Sequence, residues 1–194
     1  VFITKKNIVI SDSTRALVFL NRKFQVTKKI PFHDKTRIHG IAYNEKNNSY
    51  FLVNSLQDKI TEIDEKGKII SEIIISEKFK KYKSAFHHCN DILIDENSIY
   101  VSMFSFSGNH QKNIYDGGIM EFDLETKKYI GCPINNLWMP HSIKKFNGNI
   151  HILDSLKGDL RNGDKEVLGT FPGFSRGLDF DGRYYFIGQS KNRN

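Results

Sequence analysis

Four polar residues stand at matching places along this chain: His39, Asn90, His141 and Arg176. Each opens a short strand-like stretch with a glycine or other small residue nearby: His39-Gly40-Ile41-Ala42, Asn90-Asp91-Ile92-Leu93, His141-Ser142-Ile143 and Arg176-Gly177-Leu178-Asp179. His88 lies two residues before Asn90, which on a strand puts both on one face. Together His39, His88 and His141 would supply three imidazoles, a donor set for zinc or another divalent ion with one position open. Arg176 suits a carboxylate or phosphate. Asp154, with Asn54 and Asp12, could orient the imidazoles or add acidic ligands. The expected ligand-binding set is therefore His39, Asn90, His141, Arg176 and Asp154. The expected metal set is His39, His88 and His141. Two alternatives stand beside the metal: a ligand site without one, and a structural network of polar side chains and trapped water.

Other chemistries find less support. No Gly-x-Ser-x-Gly elbow, phosphate loop or dinucleotide fingerprint is present. Cys89 lies between His88 and Asn90, but strand alternation points it away from them, against a role as nucleophile. With only Cys89 and Cys132 there is no disulfide framework, and both read as small core thiols. Asp116-Gly117-Gly118 has too few acidic neighbours for a calcium loop. The pairs Asp12-Ser13, Asn54-Ser55 and Asp154-Ser155 suit tight turns, whose backbone such side chains cap. Phe171-Pro172-Gly173-Phe174 reads as a turn with apolar anchors. Trp138 and Met139 could wall a pocket or fill core. His33, His110 and His151 fall outside the ring and read as surface or outward-facing residues.

The elements that must position these residues are strands. Period-two alternation, β-branched residues and Asn/Gly/Asp turns dominate. A strand ending in a small polar pair recurs: IVISDS at 8–13, FLVNS at 51–55, YVSM at 100–103, HILDS at 151–155 and FIGQS at 186–190. A short strand carrying the ring residue precedes it, and a turn and further strands follow it, as in ALVFL at 16–20 and KITEID at 59–64. The repeat is about 44 residues, the period of a four-stranded β-propeller blade. A lone blade has two apolar faces and cannot cover them; radial stacking does. The innermost strand of each blade then borders a central channel, and the ring residues project into its mouth. The fold class expected is all-β, a single domain over 1–194 with about four to five blades. Blade one is expected to lack its inner strand and the last blade to stop after its second, as part of a longer propeller or a compact five-bladed ring. One or two helical turns are expected within 76–85. The long segment at 102–117 is either a lid on the mouth or a surface decoration.

At this point the residues carry a family resemblance. MPHS at 139–142, HILDSLKGDL at 151–160, FPGFSRGLDF at 171–180 and IGQSKNR at 187–193 resemble an uncharacterised bacterial family, a domain of unknown function. Its pattern is MPHSPR, LDSGTGEL, PGFTRGLAF and GLSK-x-R. Upstream, IHGIAYNEKNNSYFLVNS at 38–55, HHCNDI at 87–92 and YDGGIMEFD at 115–123 match more loosely. Departures occur at Ile143-Lys144, where the family has Pro-Arg, and at Gly40, where it has Asp. The resemblance implies a propeller and no particular activity.

Hydrophobic content of 39% and charged content of 26% indicate a globular, soluble protein. No apolar run approaches the roughly 20 residues of a membrane helix, and a cytoplasmic location with no membrane partner is expected. The chain opens inside strand-like sequence without a Met, so a removed leader stays open. The net charge of +7 comes mostly from lysines scattered at strand ends. That pattern argues for a solvated surface and against a nucleic-acid partner. The function expected is a polar ligand site at the channel mouth. It belongs either to a metal-assisted lyase, epimerase or hydrolase acting on a small polar, anionic or sugar-like ligand, or to a non-catalytic propeller binding a ligand or protein partner.

Overall fold

The computed structural model describes residues 1–4, 7–32 and 36–191; His33 lies outside them. Four antiparallel sheets follow one another, each a meander of four strands. The first holds β1 (Phe2–Ile3), β2 (Ile8–Asp12), β3 (Ala16–Leu20) and β4 (Val26–Pro31). The second holds β5 (Ile38–Asn44), β6 (Ser49–Asn54), β7 (Lys59–Asp64) and β8 (Ile69–Ile74). A short helix α1 (Lys78–Tyr82) leads to the third: β9 (Cys89–Asp95), β10 (Ser98–Met103), β11 (Gly117–Asp123) and β12 (Tyr129–Leu137). The fourth is β13 (Pro140–Phe146), β14 (Asn149–Asp154), β15 (Asp159–Asn162) and β16 (Val167–Thr170). A final pair, β17 (Phe174–Phe180) and β18 (Tyr185–Ser190), forms a two-stranded sheet.

One expectation about the strands needs correction. The first sheet does have an inner strand: β1 pairs with β2 through Phe2–Val9 and Ile3–Ile8. It is only two residues long, too short to show an alternating pattern, so four complete sheets are present where three were expected.

Alternation explains why the sheets must stack. Along β6, Tyr50 and Leu52 enter the core shared with Val9, Leu17, Phe19 and Ile30 of the first sheet. Phe51 and Val53 point the other way, into the core shared with Ile92, Ile99 and Val101 of the third. Both faces of β6 are therefore dry, and all six of its residues are buried. On β14 the same split sends Ile152 toward Ile119 and Ile134 of the third sheet and Leu153 toward Leu178 of the last. Each sheet is a partition between two cores. Burial of such side chains contributes roughly 1.5–3 kcal/mol apiece.

The inner strands β1, β5, β9, β13 and β17 border one channel, a cavity of about 980 Å³. Between β10 and β11 the long segment carries one 3-10 turn, His110–Lys112. Its two limbs are tied together: Ser105 Oγ donates to Asp116 Oδ1 at 2.5 Å, and the other oxygen of Asp116 accepts the Ser107 N–H at 3.1 Å.

Candidate ligand site at the channel mouth

The inner strands share a local irregularity that aims the site. On β5, Ile38 pairs with Asn54 and Ile41 with Leu52, so His39 and Gly40 together oppose one residue. On β9, Asn90 and Asp91 oppose one residue between the Cys89–Met103 and Ile92–Val101 pairs. On β13 the extra residue falls just after His141, and on β17 just after Arg176. These are β-bulges, which bend a strand and re-aim its side chains. The turn in the backbone is sharp at Ser142 (φ 57°) and Gly177 (φ 71°). His88 (φ 51°) and Met139 (φ 54°), just ahead of β9 and β13, also take the left-handed conformation that non-glycine residues rarely adopt. Such positions cluster where surrounding structure holds a functional geometry.

The result is a second cavity, of about 560 Å³, at the channel mouth. His39, Asn90, His141 and Arg176 all line it, with His88. His39, Asn90 and His141 also face the channel below and so form the ring between the two spaces. Aromatic rings close the wall. His39 meets His88 at 5.3 Å between centroids, His88 stacks on Phe104 at 4.2 Å, and Phe104 meets His141 at 5.2 Å. His141 meets Phe174 edge-on at 5.3 Å, and the Arg176 guanidinium lies 4.8 Å over the Phe174 ring. Asn113 and Tyr115, from the long segment, complete the rim with Met139, Leu156, Ser190 and Lys191. The segment is therefore part of the mouth and not a mere decoration of the surface.

Hydrogen bonds set the imidazole tautomers. His141 Nδ1 lies 2.9 Å from the Met139 carbonyl and 2.8 Å from Ser155 Oγ. A carbonyl only accepts, so Nδ1 carries the proton and the lone pair sits on Nε2. His39 Nδ1 donates to Asn90 Oδ1 at 3.0 Å. The amide nitrogen of Asn90 is buried without a hydrogen-bond partner. Burial pushes both His88 and His141 down to about 3. At His88 the nearby His39, His110, His141 and Arg37 add to the effect. At His141 the Met139 carbonyl opposes it, while Arg176 and His39 reinforce it. His39 is lowered too, by burial first, against the bond to Asn90. All three rings are neutral at pH 7.

Two expectations do not fit this geometry. Asp154 is fully buried and is not a cavity-lining residue. Its Oδ1 accepts the Trp138 N–H at 2.6 Å, and its Oδ2 faces Arg161 Nε at 3.3 Å, close enough for an ion pair but not aligned as a hydrogen bond. Burial pushes its carboxyl up, against the Trp138 N–H and the charges of Lys157 and Arg161. Asn54 plays a similar part, accepting the backbone N–H of Arg37 and Leu56. The metal set also fails to converge. Among the described residues no three His, Cys, Asp or Glu side chains gather into a group that could hold a metal ion. Phe104 packs against both His88 and His141, and the Nδ1 of His141 turns back to Met139 and Ser155.

Sequence reasoning missed some of the wall. Ser155, read as a turn cap, is fully buried and orients His141; its recurring place after the second strand was the available signal. Phe104 and Tyr115 carried no signal, since the course of the long segment is not written in any periodicity. His151, read as outward, is buried and accepts the Tyr185 hydroxyl at 3.0 Å.

Four-stranded antiparallel sheets stacked about a channel define a β-propeller. Within that class the chain belongs to the family described as domain of unknown function DUF4915, which it matches over residues 6–194. Solved structures share the fold at low identity. A protein of unknown function from Bacteroides caccae is 10% identical with a TM-score of 0.65, over 95% of this chain and 65% of that one. A protein provisionally named a gluconolactonase is 16% identical, TM-score 0.66, over 90% and 64%. The WD40 propeller domain of Doa1 is 11% identical, TM-score 0.68, over 97% and 59%. The chain thus spans less than two thirds of the length of each of these structures. Comparison with curated proteins gives no significant match. Among the described residues no helix is long and apolar enough to cross a membrane.

Proposed function

We propose that the mouth cavity binds a small polar anion of sugar-acid character, with Arg176 as its anchor. One observation carries this reading. Among the described residues, the side chains lining the cavity include two cations, Arg176 and Lys191, and three imidazoles, but no carboxylate. Arg176 makes no ion pair among the described residues and rests on the Phe174 ring, leaving its planar fork for a carboxylate. The cavity volume falls in the range of small-molecule sites, which run from about 300 to 1,000 Å³. A sugar acid is also consistent with the name of the gluconolactonase-like relative in fold, although that likeness speaks for the fold alone.

The Nε2 lone pairs of His39 and His141 can accept hydrogen bonds from ligand hydroxyls. Taking a proton from a carbon beside the carboxylate, as a lyase or epimerase requires, would fall to His39, since burial pushes His141 down to about 3. Non-catalytic binding is the second reading. It is favoured by the burial of His141, which pushes that ring down to about 3, with Arg176 and His39 adding to the effect, and makes it a weak base.

Calorimetric titration with glucuronate, gluconate, phosphate and uncharged glucose tests the site. The acids should bind and glucose should not, and Arg176→Ala should weaken the acids roughly 10- to 100-fold. Acids that bind no better than glucose sink the proposal. Proton exchange into the bound acid in heavy water, followed by NMR, separates the enzymatic reading from the binding one.

A further inference from the structure

We infer that the site extends beyond the cavity onto Trp138, and that its ligand is an acidic saccharide of more than one ring; this rests on the sugar-acid reading above. Trp138 is 46% exposed, an uncommon state for the largest apolar side chain. It directly precedes Met139, which lines the cavity. Its ring lies 6.4 Å from that of Tyr115, also a cavity-lining residue, at 48°. The two rings form a step leading out over the rim.

The step is held in place. The backbone at Trp138 is anchored at both ends: its main-chain N–H donates to the buried Asp154 Oδ1 at 2.6 Å, and its carbonyl accepts the Leu156 N–H at 3.1 Å. Tyr115 donates its hydroxyl to Asn113, another rim residue, at 2.9 Å. Lys157 Nζ sits 5.2 Å over the Trp138 ring and 3.6 Å from Asp154 Oδ2, and its part-exposed ammonium places a cation beside the step. A saccharide ring suits these surfaces because its C–H face packs on an aromatic ring while its hydroxyls stay in water. A carboxylate on that second ring would meet Lys157. A ligand ending inside the cavity would explain Arg176 but leave the exposed indole, flanked by Lys157 and Tyr115, uncovered by ligand.

The experiment compares glucuronate with a glucuronate-containing tetrasaccharide and an uncharged glucose tetrasaccharide, by calorimetry on the full chain. The acidic tetrasaccharide should bind about tenfold more tightly than the monomer. Trp138→Ala should abolish that gain while leaving monomer affinity within about twofold, and Trp138→Phe should restore part of it. Equal affinity for monomer and acidic tetrasaccharide overturns the extension and leaves the cavity reading standing. Equal affinity for the charged and uncharged tetrasaccharides overturns the acidic class. A Trp138→Ala protein that loses the monomer to the same degree shows that Trp138 supports the wall, which overturns the second subsite. No binding of any acid overturns the cavity reading and this inference together.

Discussion

At the scale of single residues, the neutral imidazoles of the mouth have a consequence for stability. His88 and His141 are held at about 3 in the fold, against an ordinary value of 6.5 in the unfolded chain. Above pH 6.5 both states leave the rings neutral and nothing changes. Between 6.5 and about 3 the unfolded chain binds protons that the fold excludes, so stability falls as pH falls through that window. Each ring should cost roughly 1–2 kcal/mol by pH 5. Denaturant midpoints at pH 7 and pH 5 measure the slope. His88→Asn tolerates the left-handed backbone at that position and should flatten it. Identical slopes for the variant and the wild type would show that His88 is not held neutral by its surroundings. His88, Asn90, His141 and Arg176 could be picked out from residue type and place in the repeat. Where the lone pairs point could not, because that is decided by Met139 O and Ser155 Oγ.

At the scale of elements, the bulges do the aiming, and Gly40 shows how tightly they are built. A Cβ there would stand 2.8 Å from the Asn90 carbonyl oxygen and 2.9 Å from the Asp91 Cα, both backbone atoms of the neighbouring blade. Backbone cannot rotate aside as a side chain can. Gly40→Ala should therefore push β5 and β9 apart and cost roughly 1–3 kcal/mol. Gly131, with nothing within 4 Å of a built Cβ, is the control, and Gly131→Ala should leave the melting temperature nearly unchanged. Equal effects at the two positions would deny the close approach. A glycine or small residue at the start of the inner strand was legible in the sequence, and the strands themselves were legible from alternation: 16–20 and 59–64 are β3 and β7. The bulges were not. An extra residue shifts the alternation by one only within a short strand, and the same letters fit a regular strand equally well. That shift is also why a three-imidazole metal site looked plausible from spacing alone: same-face reasoning assumes an unbroken pleat, and His88 sits in a left-handed turn before β9 begins.

At the scale of the whole molecule, charge is distributed along the channel axis. Among the described residues, the mouth is lined by Arg176 and Lys191 with no carboxylate, whereas the channel below is lined by Glu45, Asp91, Glu96 and Asp179 against Lys46 and Lys144. An anion is therefore favoured at the mouth and disfavoured deeper, with the ring of His39, Asn90 and His141 at the boundary. The surrounding surface adds to the attraction, since the chain carries a net charge of +7. The summed field of these charges draws small anions toward the molecule. Salt separates this field from the local grip of Arg176. Screening shortens the reach of exposed charges from about 30 Å at 0.01 M to about 10 Å at 0.1 M. Glucuronate affinity should fall roughly threefold or more over that range, chiefly through slower association. Arg176→Lys keeps the charge but loses the planar fork, so it should bind more weakly at every salt concentration while retaining the same slope. Stopped-flow titration at several salt concentrations reads both quantities. Affinity that ignores salt would confine recognition to the fork of Arg176 and its aromatic support, and would leave the lysine-rich surface a role in solubility alone.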